Sequence, residues 1–135
     1  GFDNLSDGGE GMNLEQIAEE ITKLKYQVRV LGETIDYQAH PVEALILSMD
    51  WSEGDIDRAH DIFEKYDNKL QEKESVIWAE FEKELRNEFN IGYQTVKSIV
   101  LAFYKNHQWT NVCYEYAMSL EPTTPVEFHQ ITRGA

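Results

Sequence analysis

The sequence predicts an all-α protein, a multihelical bundle of about six helices that opens with a heptad-patterned N-terminal helix. Two observations support this fold class. Apolar residues recur every three or four positions along most of the chain, which is the spacing of one helix face. Residues that start helices separate these stripes, and no segment alternates apolar and polar residues as a half-buried strand does.

The composition divides the 135 residues into three segments. Residues 1–11 hold four glycines, three acids and two large apolar residues, which predicts a disordered leader or a tag-derived sequence. Residues 12–121 carry the periodic stripes and form the predicted helical bundle domain. Residues 122–135 contain two prolines and no period, so we expect a flexible tail.

The first helix has the most regular pattern. Asn13 can cap it, and Gln16 can complete a capping box. An aliphatic residue then occupies every a and d position of a heptad: Leu14, Ile17, Ile21, Leu24, Val28, Leu31 and Ile35. Mostly β-branched residues at a and mostly leucine at d favour a parallel two-stranded coiled coil. Glu20 at g and Lys25 at the following e would then pair across the two chains.

Two interpretations of this stripe stay open. It either packs against the protein's own helices, as an amphipathic helix normally does, or it joins copies of the chain. Three heptads are the shortest repeat that indicates a coiled coil. In the second interpretation the oligomer interface consists of Ile17, Ile21, Leu24, Val28 and Leu31.

A proline and an acidic cap predict the second and third helices. Pro41 suits the first turn of a short helix that is apolar on nearly all sides. Residues 48–63, SMDWSEGDIDRAHDIF, have the composition of a calcium loop, but counted from Asp50 the glycine is fifth rather than sixth and the twelfth residue is not glutamate. The same residues make a good helix start, with Ser52 as the cap and acids at the positive end of the helix dipole.

Three more helices complete the predicted bundle. The fourth lies within VIWAEFEKELRNEF, the fifth spans about residues 93–106, and the sixth spans about residues 110–120. The last two are poor in charge and rich in aromatic residues. They form either the buried half of the bundle or an interface with another chain.

The charge balance is acidic, with 25 acids against 12 bases and a formal net charge of -13. This charge repels phosphate backbones, so nucleic acid is a disfavoured partner. The third helix offers an acidic partner face for a basic protein, which consists of Asp57, Asp61 and Glu64. The alternative is a solvated face that keeps the protein soluble.

We expect a cytoplasmic protein without a membrane segment. The longest apolar runs fall far short of the roughly 20 residues of a membrane span, and no signal peptide opens the chain. Cys113 is the single cysteine, which excludes an internal disulfide and fits a reducing compartment.

No group of residues predicts catalysis, a cofactor or a metal. The best metal candidates share one side of the third helix: Asp57, His60, Asp61 and Glu64. A metal pair in a bundle needs a matching Glu-x-x-His motif on a second helix, and the sequence has none. Cys113 has no neighbour that would stabilise a thiolate. Phosphate loops and nucleophile elbows are also absent, so we do not expect an enzyme.

The alternative function is a helix-turn-helix DNA-binding regulator. The stretch FEKELRNEFNIGYQTVKSIVLAFYKN has the pattern of this motif, with FNIG as the turn and Tyr93–Lys105 as the recognition helix. Four polar residues would face the base edges: Gln94, Thr95, Lys97 and Ser98. The preceding helix carries glutamates where a helix that crosses the DNA backbone needs bases, which disfavours this function.

Four stretches carry a family resemblance: the heptad-patterned first helix, HPVEALIL, WSEGDIDRAHDIFEKY and FEKELRNEFNIGYQTVKSIVLAFYKNHQWTNVCYEYAMSL. From about residue 21 to residue 120 the chain resembles the YhaI-like family of small proteins from bacilli. This resemblance implies an all-helical fold and oligomeric assembly. The family has no established activity, so it supplies no functional residues.

From these observations we expect a homo-oligomer that acts through protein-protein interaction. It would assemble through its first helix, its aromatic C-terminal pair of helices, or both.

Overall fold

The computed structural model describes residues 12–134, and the prediction for residues 1–11 lies outside this range. The described residues form seven α-helices and a 3-10 helix, and none of them forms a strand. The predicted all-α fold class is therefore confirmed. The chain divides after residue 35 into two compact units, of which the first contains the N-terminal helix.

Helix α1, Leu14–Glu33, begins at the predicted capping box. The Gln16 N–H donates to Asn13 Oδ1 at 2.8 Å, and the Asn13 N–H donates to Gln16 Oε1 at 3.0 Å. The helix ends before the heptad pattern does, because Thr34 is its C-cap and donates its hydroxyl to the Leu31 carbonyl at 2.7 Å. Ile35, the last predicted a position, therefore lies beyond the helix.

The second unit begins with α2, Pro41–Met49, which has proline in its first turn as predicted. Helix α3, Glu53–Gln71, follows and also begins with a capping box. The Ser52 N–H donates to the Asp55 carboxylate at 2.8 Å, and this hydrogen bond holds the pKa of Asp55 below its ordinary value. The acidic stretch is thus the start of a helix rather than a calcium loop.

Three helices follow, and their bounds are α4, Trp78–Phe89, α5, Tyr93–Lys105, and α6, Thr110–Met118. Asn90 ends α4 in the left-handed conformation, with φ 52, which asparagine adopts more readily than most residues. Ile77 lies in the stretch VIWAEFEKELRNEF that is predicted to hold the fourth helix, and in the structure it is the exposed N-cap of α4.

The core of the second unit is aromatic. The ring centroid of Phe63 lies 5.2 Å from that of Phe81 and 4.7 Å from that of Phe103, both edge-on. Such pairs contribute about 0.5–1.5 kcal/mol each beyond the burial of the rings. Eight apolar residues of α5 and α6 are fully buried in this core: Val96, Ile99, Val100, Phe103, Val112, Cys113, Tyr116 and Ala117. Helices α5 and α6 therefore contribute to the buried half of the bundle, which is one of the two predicted alternatives.

The C-terminal segment packs into the same core, so over residues 122–134 the structure differs from the predicted flexible tail, and residue 135 lies outside the described range. A 3-10 helix, Val126–Phe128, continues directly into α7, His129–Thr132. Phe128 is fully buried, and Ile131 keeps 3% of its surface. The prolines suggest loose chain, but Phe128 and Ile131 are three residues apart and share one face of a short helix. The bundle therefore extends past its predicted end at residue 121.

The burial of Phe128 predicts a large effect of its truncation. Phe128→Ala should lower the free energy of unfolding by about 3–5 kcal/mol, because it removes an aromatic ring from a packed core. The control is Val126→Ala, at a position that keeps 76% of its surface exposed, which should change it by less than about 0.5 kcal/mol. Urea denaturation of both variants measures the difference. Equally small effects would show that the segment does not contribute to the core.

Candidate interaction surfaces

The aliphatic stripe of α1 is exposed along its whole length. No residue of this helix is buried. The five residues of the predicted oligomer interface each retain 41–66% of their surface: Ile17, Ile21, Leu24, Val28 and Leu31. Leu14, at the start of the stripe, is still more exposed. An amphipathic helix is normally stabilised by burial of its apolar face, and the described residues of this chain do not provide that burial for α1.

Charged residues flank this stripe. Glu20 accepts a hydrogen bond from Lys23 Nζ at 3.0 Å within the helix. Lys25 lies on the opposite flank, is exposed, and forms no ion pair with any residue in the range 12–134. Arg29 lies 5.3 Å from the ring centroid of Tyr26, outside the a and d positions. The surface thus has an apolar seam with one acidic and one basic edge.

The predicted acidic partner face lies on the solvent side of α3, and its residues are all exposed: Asp57, Asp61 and Glu64. None of the three forms an ion pair with a described residue. Arg58 pairs with Asp55 and Glu88 instead. Lys65 pairs with Glu84. The nearby bases therefore neutralise other acids and leave this face negative.

His60 lies at the edge of the core rather than in a metal site. Its Nδ1 accepts a hydrogen bond from Trp109 Nε1 at 3.0 Å, and its ring centroid lies 5.1 Å from that of Phe103. This bond joins α3 to the residue before α6. Within residues 12–134 no group of three or more His, Cys, Asp or Glu side chains is arranged to hold a metal ion. No local sequence pattern identifies Trp109 as the hydrogen-bond partner of His60, because the two residues are 49 positions apart.

Lys97, which the DNA-binding interpretation places against base edges, is buried and keeps 5% of its surface. Its Nζ donates to Glu127 Oε1 at 2.7 Å. Gln94 and Ser98 are exposed, and Thr95 is half-buried. The only basic residue of that set therefore holds the C-terminal segment against α5 and is not available to a ligand.

Cys113 is fully buried, and its Sγ lies 3.5 Å from the Val100 carbonyl oxygen. Burial raises the pKa of this thiol well above its usual value. A thiol of this kind behaves as an apolar core residue, because the thiolate is the reactive form.

No family model, curated protein or solved structure matches the chain. The resemblance to the YhaI-like family therefore stays a prediction. Among the helices of residues 12–134, none combines the length and the apolar character needed to cross a membrane. Most of the exposed large apolar side chains among residues 12–134 lie on α1.

The ion pair of Lys97 with Glu127 predicts a pH-dependent contribution to stability. The hydrogen bond from Lys97 holds the pKa of Glu127 below its ordinary value of 4.5. A carboxylate with a lowered pKa in the folded state stabilises the fold above about pH 4.5, and this contribution is lost as the pH falls through the folded-state pKa. Glu127→Gln should therefore lower the melting temperature by a few degrees near neutral pH and have little effect once the native carboxyl is protonated.

Differential scanning calorimetry at a series of pH values measures this difference. The matched control is Glu121→Gln, which removes one exposed acid without an ion pair among the described residues. An effect of Glu127→Gln that stays constant from neutral to strongly acidic pH would contradict the role of the ion pair.

Proposed function

We propose that the chain is a self-associating interaction protein, a cytoplasmic homo-oligomer that assembles through α1 and has no catalytic role. The observation that carries this proposal is the exposed aliphatic stripe of α1, a helix in which no residue is buried. Burial of apolar surface contributes about 25 cal/mol for each Å² removed from water. A second copy presents the same stripe with the same spacing, so the two stripes can pack against each other and no different protein is needed to cover them.

The aromatic C-terminal pair is not part of the proposed interface. Most apolar residues of α5 and α6 are buried within the second unit. Tyr114 and Met118 are the exposed ones, so these helices offer another chain less apolar surface than α1 does. DNA binding is not proposed either. The net charge of -13 opposes it, and Lys97 is engaged with Glu127.

Charges placed in the stripe should separate the copies. The variant with Leu24→Glu and Val28→Glu loses roughly 1 kcal/mol of apolar burial for each half-exposed side chain, or about 4 kcal/mol for a pair of helices. This corresponds to a dissociation constant raised several hundred-fold, before repulsion among the new carboxylates is counted. Light scattering coupled to size-exclusion chromatography measures the molar mass.

The control carries the same two charges on the other side of the helix, at Thr22→Glu and Tyr26→Glu. Both positions are exposed and lie outside the a and d positions, so this variant should keep the mass of the wild type. Circular dichroism and the melting temperature of the second unit show that both variants remain folded. Equal masses for the wild type and the stripe variant would contradict the proposal.

The acidic partner face is proposed as a second contact, for a basic protein. Its support is that Asp57, Asp61 and Glu64 form no ion pair with any residue between positions 12 and 134, although Arg58 and Lys65 lie on the same helix. Two of these acids are four residues apart on a helix, where like charges are unfavourable and a cationic partner would relieve them.

An oligolysine peptide tests this second contact at low ionic strength. Neutralising the face with Asp57→Asn, Asp61→Asn and Glu64→Gln should weaken binding roughly tenfold, because each exposed ion pair contributes up to about 1 kcal/mol. The control neutralises three other exposed acids and has the same net charge: Glu72→Gln, Glu74→Gln and Glu121→Gln. Fluorescence anisotropy measures both affinities. If both variants lost the same affinity for the peptide, net charge alone would explain the binding, and this result would contradict a specific acidic face.

A further inference from the structure

We infer that α1 pairs with a second copy of itself in parallel and in register, as a two-stranded coiled coil. This inference rests on the proposed self-association and adds the orientation and number of the strands. The helix has 20 residues, so the paired seam is about 30 Å long. Within it the a positions are Leu14, Ile21 and Val28, and the d positions are Ile17, Leu24 and Leu31.

The choice of side chains in the central and C-terminal heptads of the seam favours two strands. Ile21 and Val28 are β-branched residues at a, and Leu24 and Leu31 are leucines at d, which is the combination that two-stranded parallel coils prefer. These four residues fill the central and C-terminal heptads. All four are exposed in the single chain, so the seam is free to accept a partner.

The charges on the two edges favour the parallel orientation. In a parallel pair each g residue meets the next e residue of the other helix. Glu20 at g then faces Lys25 of the partner subunit, and the pair has two such contacts by symmetry. Lys25 has no ion pair among the described residues of its own chain, and Glu20 uses one carboxylate oxygen for Lys23 and has the other available.

An antiparallel pair would lose these contacts. Reversing one helix brings g against g and e against e. With the two stripes aligned over their full length, Glu20 would face Gln27 of the partner subunit, and Lys25 would face Ala18 of the partner subunit. No opposite charges would meet at either edge. The apolar seam alone permits both orientations, so the charged edges decide between them.

Single cysteines at the two ends of the seam test the orientation. Leu14→Cys and Leu31→Cys are 17 positions apart, which is about 25 Å along the helix and far beyond the reach of a disulfide. Both lie at the ends, so each variant keeps the central seam. Cys113 is buried and gives no background reaction. Each variant is oxidised separately, the two are oxidised as a mixture, and covalent dimers are counted on a non-reducing gel.

The parallel arrangement predicts that each variant alone becomes a covalent dimer and that no link forms between position 14 and position 31 in the mixture. Glu19→Cys, at an exposed f position on the outside of the coil, should remain monomeric on the gel. The reduced proteins should have twice the mass of one chain by sedimentation equilibrium.

Cross-linking only in the mixture would overturn the parallel orientation and leave self-association in place. A reduced mass of three or more chains would overturn the two-stranded assembly in the same way. A wild-type chain that is monomeric throughout would instead contradict the proposed function, and the inference with it. The three results are distinguishable because mass and cross-link position are measured independently.

Discussion

An aliphatic stripe that runs the length of α1 and stays exposed in the single chain is the constraint on which this account depends. The amphipathic helices α3 and α5, by contrast, bury their apolar faces within the second unit. The stripes of α3 and α5 converge on Phe63 and Phe103, which are fully buried. Apolar surface of the same kind is therefore covered within the chain in one unit and left exposed in the other. Because water disfavours such a surface, the exposed stripe supports the proposed pairing of two copies.

The second unit has the features of a stable scaffold. Its rings pack edge-on, and the C-terminal segment closes the core with Phe128. The ion pair of Lys97 with Glu127 fixes the same segment to α5 from the outside of the core. On α3, Arg58 and Lys65 are paired with other acids, so they do not neutralise the acidic partner face. The negative face of the second unit and the apolar seam of α1 are the two surfaces that support the proposed function.

Local sequence patterns predict the helices and their starts well, because a capping box such as Ser52 with Asp55 spans only four residues. They predict the heptad of α1 for the same reason. They do not reveal that Phe128 is a core residue, since α7 is too short to show a period. Lys97 and Glu127 are 30 positions apart, so only the folded chain brings them together. The exposure of the α1 stripe is likewise a property of the fold, which the pattern alone leaves open.

Amide hydrogen exchange of the wild-type chain, followed over a dilution series together with its molar mass, tests the central claim most directly. We predict that the mass falls from about twice the 15.7 kDa of one chain to that of the monomer, and that the amides of α1 lose protection over the same range. The amides of α5 should keep their protection, because their core lies within one chain. A mass of 15.7 kDa at every concentration, or protection of α1 that does not change as the mass falls, would contradict the account.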